Sequence, residues 1–406
     1  MDKFFLIICL SLSFQLWSKT DGKRDYSFST LKKGISTLAN DKHQNKIDLS
    51  LDEIIQVLWN QAFDLNASLT HGQVYQLVEF LRVKDQRTSI LKTRHIMRLL
   101  IIEKKTGILG SFIKTDFSSL KWDRSDILTW LSLEKIYPDS LKEVAPPKGD
   151  FFKAVTREFV KSTEKETWSD QQIDRLIRHV PVLGSRFSKY KRGVSVYMFC
   201  RHNRMHPCLF VMKDRNGKWV KGDRLQLWSQ PKLAMSRRGL PSHQVNGETP
   251  QGIYTIDSVM PEANRPLVFG QYRRLILNFI DHSVGEKDTL FFIPKELHQM
   301  NWWRQATVAR DVGRALLRIH GTGRINTDPA SFWYPFYPTS GCIASRENTY
   351  DGVSFRDQRL LLDTMMRAMG LRTLYSNEEK IRGILYVVNI DSREDAVKED
   401  DILPLL

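Results

Sequence analysis

The chain has 406 residues, 41% of them hydrophobic, and its 61 Lys and Arg outnumber 46 Asp and Glu to give a formal net charge of +15 at pH 7. That length accommodates two or three domains with cores of their own, and the basic balance admits nucleic acid, an anionic membrane or an anionic cell-wall polymer as a partner. No zinc-finger spacing, RNP-type aromatic motif or long Lys/Arg block accompanies the charge, so nucleic acid is set aside, and no nucleotide loop, metal-protease helix or Gly-x-Ser-x-Gly elbow occurs.

In chain order, Met1-Asp2-Lys3 followed by the apolar run Phe4 to Phe14 has the charged start and short apolar core of a secretory signal. The run is shorter than the roughly 20 residues of a membrane span. Gln15-Leu16-Trp17-Ser18 lacks a small-x-small cleavage site, so residues 1–18 read as a signal peptide or an N-terminal anchor. The expected location is exported, periplasmic or envelope-associated, with Cys9 part of the apolar core and a membrane tether at the N-terminus open. Residues 19–48 are rich in Lys, Asp and Ser and read as a polar tether.

A helical domain is expected over 49–185. Ser50 and Glu53 have capping-box spacing ahead of Leu51, Ile54, Ile55 and Leu58, and Thr70 with Gln73 precedes Val74, Leu77, Val78 and Leu81. A third helix is expected from Ser89 to Lys105, stopped by Gly107, with further segments at 125–136, 150–162 and 169–179, the last capped by Ser169 and Gln172. Pro146-Pro147 interrupts the region. These apolar stripes read as packing faces rather than ligand sites.

From Val194 the pattern turns to strands: Val194 to Phe199, Cys208 to Met212, an Asp214 to Gly217 turn, then Trp219-Val220. Further strand-like pieces are Gly252 to Ile256, Leu275 to Phe279, Leu290 to Ile293, Ala315 to Ile319 and Ile384 to Ile390. Residues 353–369 read as a helix, with Ser354 and Asp357 at its cap, Leu360, Leu361, Thr364, Met365 and Ala368 on one side, and Gly370 ending it. Residues 393–406 read as a loose acidic tail. The fold class is α+β and multidomain, a helical N-terminal region followed by a mostly β domain.

Of the four cysteines, Cys342 alone stands in a turn-like, Gly-flanked setting, Thr339-Ser340-Gly341-Cys342, downstream of His320-Gly321. The thiolate is the attacking form of cysteine, and a nearby imidazole or peptide N–H groups are what stabilise it. Cys200 and Cys208, with His202 and His206 between them, admit a zinc site, but the spacing between two strands favours a cross-strand disulfide or two unpaired thiols in an oxidising compartment.

Three motifs in order, Thr249-Pro250-Gln251-Gly252-Ile253-Tyr254-Thr255-Ile256, then Ile319-His320-Gly321, then Thr339-Ser340-Gly341-Cys342-Ile343, resemble the L,D-transpeptidase (YkuD-like) catalytic domain over residues 193–392. Many members have His where this chain has Ser340, and Arg where it has Ala344; Arg346 is nearby but offset. The resemblance implies a peptidoglycan enzyme with Cys342 as nucleophile and His320 as base. Gly321 supplies the carbonyl that orients the ring, and N–H groups of the Thr339, Ser340, Gly341, Cys342 loop meet the oxyanion. It also implies a helix after the nucleophile loop, no metal or cofactor, and stem peptides as partners.

Further substrate contacts are read at Trp302 and Trp303, in a stretch 281–314 that serves as a lid in the family, and at Tyr337, in an aromatic run that is either a cleft wall or a pinned loop. Arg324 or Arg318 would hold a substrate carboxylate, or else be solvated surface arginines, and Arg346 would stand in for the offset family Arg. The expected chemistry is attack on the L-centre to D-Ala bond of tetrapeptide stems through a thioester. Transfer to an amine gives a transpeptidase and transfer to water an L,D-carboxypeptidase, while a wall-binding module without catalysis and a helical adaptor are readings from other classes.

Overall fold

Strand β1 (Val194–Arg201) is buried on both faces along nearly its whole length, which in a sheet means that both sides are covered. A computed structural model describes this strand within residues 124–136 and 149–402, apart from 182–184, 223–224, 238, 245 and 282. The N-terminal signal or anchor, the tether, the helices expected before 106 and the Pro146-Pro147 break lie outside the described residues. Among the described residues no helix is long and apolar enough to cross a membrane.

The strands that follow are β2 (Cys208–Lys213), β3 (Ser229–Lys232), β4 (Gly252–Val259), β5 (Leu275–Phe279), β6 (Leu317–His320), β7 (Ile343–Ala344), β8 (Glu347–Tyr350), β9 (Val353–Arg356) and β10 (Arg382–Asp391). Eight of them form one sheet in the order β3-β2-β1-β10-β4-β5-β6-β7. The β1–β10 and β6–β7 pairs are parallel and the remaining pairs antiparallel. Just past β3, Leu233 exchanges backbone hydrogen bonds with Ala344 of β7, at 3.1 and 2.8 Å, so the sheet nearly closes on itself. β8 and β9 make a separate hairpin, whose Asp351-Gly352 turn has φ of 49° and 78°, the left-handed pair that tight hairpins need.

Strict alternation sorts the core into two layers. Val196, Met198, Phe210, Tyr254, Leu277, Ile319, Ile343 and Leu385 pack on one side of the sheet with Leu361, Leu362, Met365 and Met366 of helix α5 (Asp357–Ala368). On the other side Tyr197, Phe199, Ile253 and Tyr386 pack with Ile173, Leu176 and Ile177 of helix α3 (Asp170–Arg178). Helix α3 starts on a full capping box: Gln172 N donates to Ser169 Oγ at 3.3 Å and Ser169 N to Gln172 Oε1 at 2.8 Å.

Helix α1 (Arg124–Ile136) and helix α2 (Asp150–Ser162) meet helix α4 (Arg304–Asp311) through Arg124, which donates to Asp311 Oδ2 at 2.9 Å and Glu158 Oε2 at 2.6 Å. Among the described residues α1 to α3 belong to the same compact unit as the sheet.

Three expectations are corrected. Leu290–Phe292 is a 3-10 turn rather than a strand, and Val353–Arg356 is strand, with the helix beginning only at Asp357. The acidic tail is docked through residue 402. Arg201, fully buried, takes Asp391 at 2.9 Å, Asp395 at 2.9 Å and Asp401 at 2.6 Å, while Val397 and Ile402 enter the core. A guanidinium removed from water needs counter-charges, and the tail supplies two of the three, Asp395 and Asp401.

Deleting residues 393–406 is therefore expected to cost about 3–5 kcal/mol of unfolding free energy, because Arg201 keeps only Asp391 and two apolar anchors are lost. Urea denaturation checks this; an unchanged midpoint would contradict the docking.

Candidate active site

The register of three strands builds the site. Ile319 of β6 stands opposite Leu275 of β5 and beside Ile343 of β7, and all three point into the core. Their neighbours Arg274, Arg318, His320 and Cys342 therefore share the opposite face. Along it Cys342 falls beside Arg318 and the paired positions bring Arg274 across from His320.

Backbone packing holds the loop that carries Cys342. Gly341 has φ of +95°, and a Cβ there would run into the Gly247 carbonyl and come within 2.8 Å of the Arg314 guanidinium. Thr249 Oγ1 donates to Gly341 O at 3.0 Å, Arg237 N to Thr339 O at 2.8 Å, and Thr339 Oγ1 to Cys342 O. Arg314, buried, donates to the carbonyls of Ser242, Glu248 (2.7 Å) and Gly247 (3.0 Å). The first motif thus forms the bed on which the third one lies.

His320 is buried, and its Nδ1 donates to Gly321 O at 2.5 Å, which fixes the tautomer and leaves Nε2 with a free lone pair. Burial, with help from the Arg274 and Arg318 charges, drives the imidazole down to about 4 despite the Gly321 hydrogen bond. The edge of the ring meets Phe269 at 5.2 Å. The room at Gly321 belongs to Glu347, whose carboxyl would overlap a Cβ at 321 and another at 270. Glu347 Oε2 accepts from Gln271 N at 2.6 Å, Oε1 has no partner, and burial pushes the acid up to about 7.

Cys342 is half-buried, with Sγ 4.0 Å from Leu316 O. Burial raises its thiol above the ordinary range; Arg318, Arg314 and Arg274 pull in the opposite direction without winning. Both shifts favour the uncharged forms at neutral pH, a thiol and an imidazole rather than an ion pair. Arg274 donates to Asn264 Oδ1 at 2.9 Å and stacks on Phe269 at 4.2 Å, and Arg318 donates to Leu317 O at 2.7 Å. Neither Arg274, Arg314 nor Glu347 was singled out by the sequence, where each is one charged residue among many.

Other expected residues are distributed differently. Trp302 and Trp303 are core residues, 1% and 3% exposed, not cleft residues; Trp302 meets Trp168 edge-on at 5.5 Å and Trp303 Nε1 donates to Met300 O at 3.1 Å. Both belong to the core layer of Tyr197, Ile253 and Tyr386, and α4, which follows them, comes so close to β4 that a Cβ at Gly252 would strike Ala306. Arg346 is committed to Asp357 at 2.7 Å and to the Phe355 ring at 4.2 Å, which removes it as a grip on substrate. Arg324 lies 5.8 Å over the Tyr337 ring, so these two are brought together on the loop that follows His320. Cys200 and Cys208 are joined in a disulfide, with Cα atoms 4.3 Å apart, which leaves neither thiol free for zinc. Among the described residues no group of three or more His, Cys, Asp or Glu is placed to hold a metal.

Comparison with models of protein families, with curated proteins and with solved structures finds no match to this chain.

Two outcomes follow from this geometry. Gly341→Ala must move the loop off Gly247, at a cost of about 1–3 kcal/mol in local strain, and is expected to slow alkylation of Cys342 with little loss of helical signal in circular dichroism. Because the thiol is raised and only the thiolate reacts, iodoacetamide labelling of Cys342, followed by mass spectrometry of its peptide, should climb about tenfold per pH unit from 6 to 9. A plateau below pH 8 would show an ionised resting thiol instead.

Proposed function

We propose that this chain is an exported, cysteine-dependent peptidoglycan L,D-transpeptidase that cleaves the bond between the L-centre of the third stem residue and the terminal D-Ala. The observation that carries the reading is the register that sets Cys342, the residue before β7, on the same sheet face as His320 of β6, with Nε2 left free by the Nδ1 bond to Gly321. The motif order of the sequence and the formal charge of +15, which suits an anionic envelope polymer, support it further.

With both groups neutral at rest, His320 acts as a general base during attack rather than as one half of a preformed ion pair. Nε2 takes the thiol proton as Sγ bonds to the carbonyl carbon, and the peptide N–H groups around Ser340, Gly341 and Cys342 face the oxygen that gains charge. The imidazolium returns that proton to the nitrogen of D-Ala as the C–N bond breaks, which leaves a thioester on Cys342 and a neutral ring. An amine from a second stem then attacks, passing a proton through His320 to Sγ, and the new amide is a 3–3 crosslink or an attachment. Water in place of the amine gives an L,D-carboxypeptidase. Every proton and electron pair is accounted for by substrate and side chains, with no added cofactor.

The test is incubation of the purified chain with defined muropeptides, with mass spectrometry of the products. A crosslinked dimer is expected from wild type and none from Cys342→Ala, and His320→Gln should lower the rate by about 10²- to 10⁴-fold. Trimmed tripeptide alone assigns the hydrolase, and unchanged peptides that still bind assign a wall-binding module.

A further inference from the structure

Among the described residues the buried acids other than Glu347 each face a guanidinium: Asp311 takes Arg124 at 2.9 Å, Asp357 takes Arg346 at 2.7 Å and Glu378 takes Arg359 at 2.5 Å. Glu347, on β8 and 5% exposed, is hydrogen-bonded by a peptide N–H instead. Its Oε2 accepts from Gln271 N at 2.6 Å, and its Oε1 is buried without a hydrogen-bond partner. The glycines at 270 and 321 admit it. A Cβ at 270 would overlap Oε2 and one at 321 would overlap Oε1, so the idle oxygen lies against the residue whose carbonyl accepts from His320 Nδ1. Phe269, whose ring meets the imidazole edge-on, precedes Gly270 and Gln271, so one short segment grips both the base and the acid.

An acid kept out of water without a cation on it is costly, and burial answers by pushing Glu347 up to about 7. Lys232 of β3 acts to lower it and Asp357 at the start of α5 to raise it, with Arg346 adjoining in the chain and Arg356 opposite in the β8–β9 register. Below that pH Glu347 is a neutral filler of space; above it, a carboxylate stands against Gly321. His320 is under the opposite pressure. Arg274 and Arg318 both disfavour a charged ring, yet a general base must become an imidazolium while the thiol proton is in transit. A negative charge behind the residue that holds Nδ1 offsets them, and in a dry interior such a charge is worth roughly tenfold in the ease of protonating Nε2.

We infer that Glu347 is a positioning residue for His320, an acid set behind Gly321 whose carboxylate form steadies the imidazolium made during attack. This inference rests on the acyl-transfer reading given above and adds to it the group that regulates the base with pH. Glu347 neither takes nor gives the substrate's proton. That proton passes from Sγ to Nε2 and on to the D-Ala nitrogen, while the Nδ1 proton stays on its bond to Gly321 O.

The test follows the His320 ring nitrogens by NMR in the full chain labelled with ¹⁵N-histidine, His320 being identified by the signals lost in His320→Gln. Wild type should show a displacement of these signals centred near pH 7, well above the region near 4 where the ring itself charges. Glu347→Gln, which keeps the size of the side chain and an oxygen for Gln271 N, should abolish that displacement. Lys232→Met, which removes a cation that lowers Glu347, should move it to higher pH. In parallel, kcat/KM for D-Ala release from a synthetic stem tetrapeptide should climb about tenfold from pH 6 to 8 in wild type and stay within about twofold of its pH 6 value in Glu347→Gln. A displacement near pH 7 with no D-Ala release sinks the enzymatic reading and keeps the coupling of acid to base. A wild-type ring silent between pH 6 and 8, a displacement that survives Glu347→Gln, or equal pH profiles of release in the two proteins overturns the inference.

Discussion

Burial of Ile319 between Leu275 and Ile343 is the constraint on which the site depends. Strand side chains alternate, so fixing this residue in the core sends Arg318 and His320 to the other face, and fixing Ile343 does the same for Cys342. A slip of one residue would bury the imidazole in the apolar layer and expose the isoleucine. Apolar packing on the other side of the sheet thus sets the face on which Cys342 and His320 stand, while Thr249 and Arg314 hold the loop before β7.

Behind that face lies an interior polar chain. Lys232, fully buried and pushed down to about 7 mainly by burial, donates to Ser345 Oγ at 2.6 Å. Ser345 Oγ passes the bond to Gln358 Oε1 at 2.9 Å, and Gln358 Nε2 donates to the carbonyls of Arg273 at 3.0 Å and Ile319 at 3.1 Å. Ser345 N meanwhile donates to His320 O at 2.9 Å. The helix α5 is thereby fastened to the strand that carries His320 through one glutamine, and Glu347, Asp357 and the half-buried Arg346 lie beside it and hold neighbouring loops. Apolar residues of like size could supply as much stability; what the polar chain adds is a single arrangement of β6 relative to α5.

Much of this architecture is legible in the sequence because local chemistry and tertiary packing agree there. Ser169 and Gln172 announce the start of α3, Leu275 to Phe279 reads as β5 to the residue, and β1, β2, β4 and β10 show their apolar runs plainly. The strands that escape are those whose pairing comes from elsewhere: β3 reads Ser-Gln-Pro-Lys, and β7 has two residues held by β6 and Leu233. Trp302 and Trp303 illustrate the opposite failure, since an aromatic pair looks the same in a cleft and in a core, and only the neighbours of Trp302, Trp168 among them, decide. Arg274, Arg314 and Glu347 were hidden for a related reason. Their meaning lies in what surrounds them, a ring, a set of carbonyls and two glycines, all remote in sequence.

The parallel pairing of β1 with β10 has a temporal consequence. Val194 lies against Gly383 and Cys200 against Asn389, so one of the two innermost neighbours of β1 is also the last strand in chain order. During synthesis β1 emerges long before the segment that covers its edge, and the loop to be closed between them is nearly the length of the sheet domain. Such non-local topology folds slowly and leaves a hydrophobic strand edge open in the meantime. Until β10 arrives that edge stays unpaired, and the interval before completion is the chain's period of greatest exposure to proteases and to self-association.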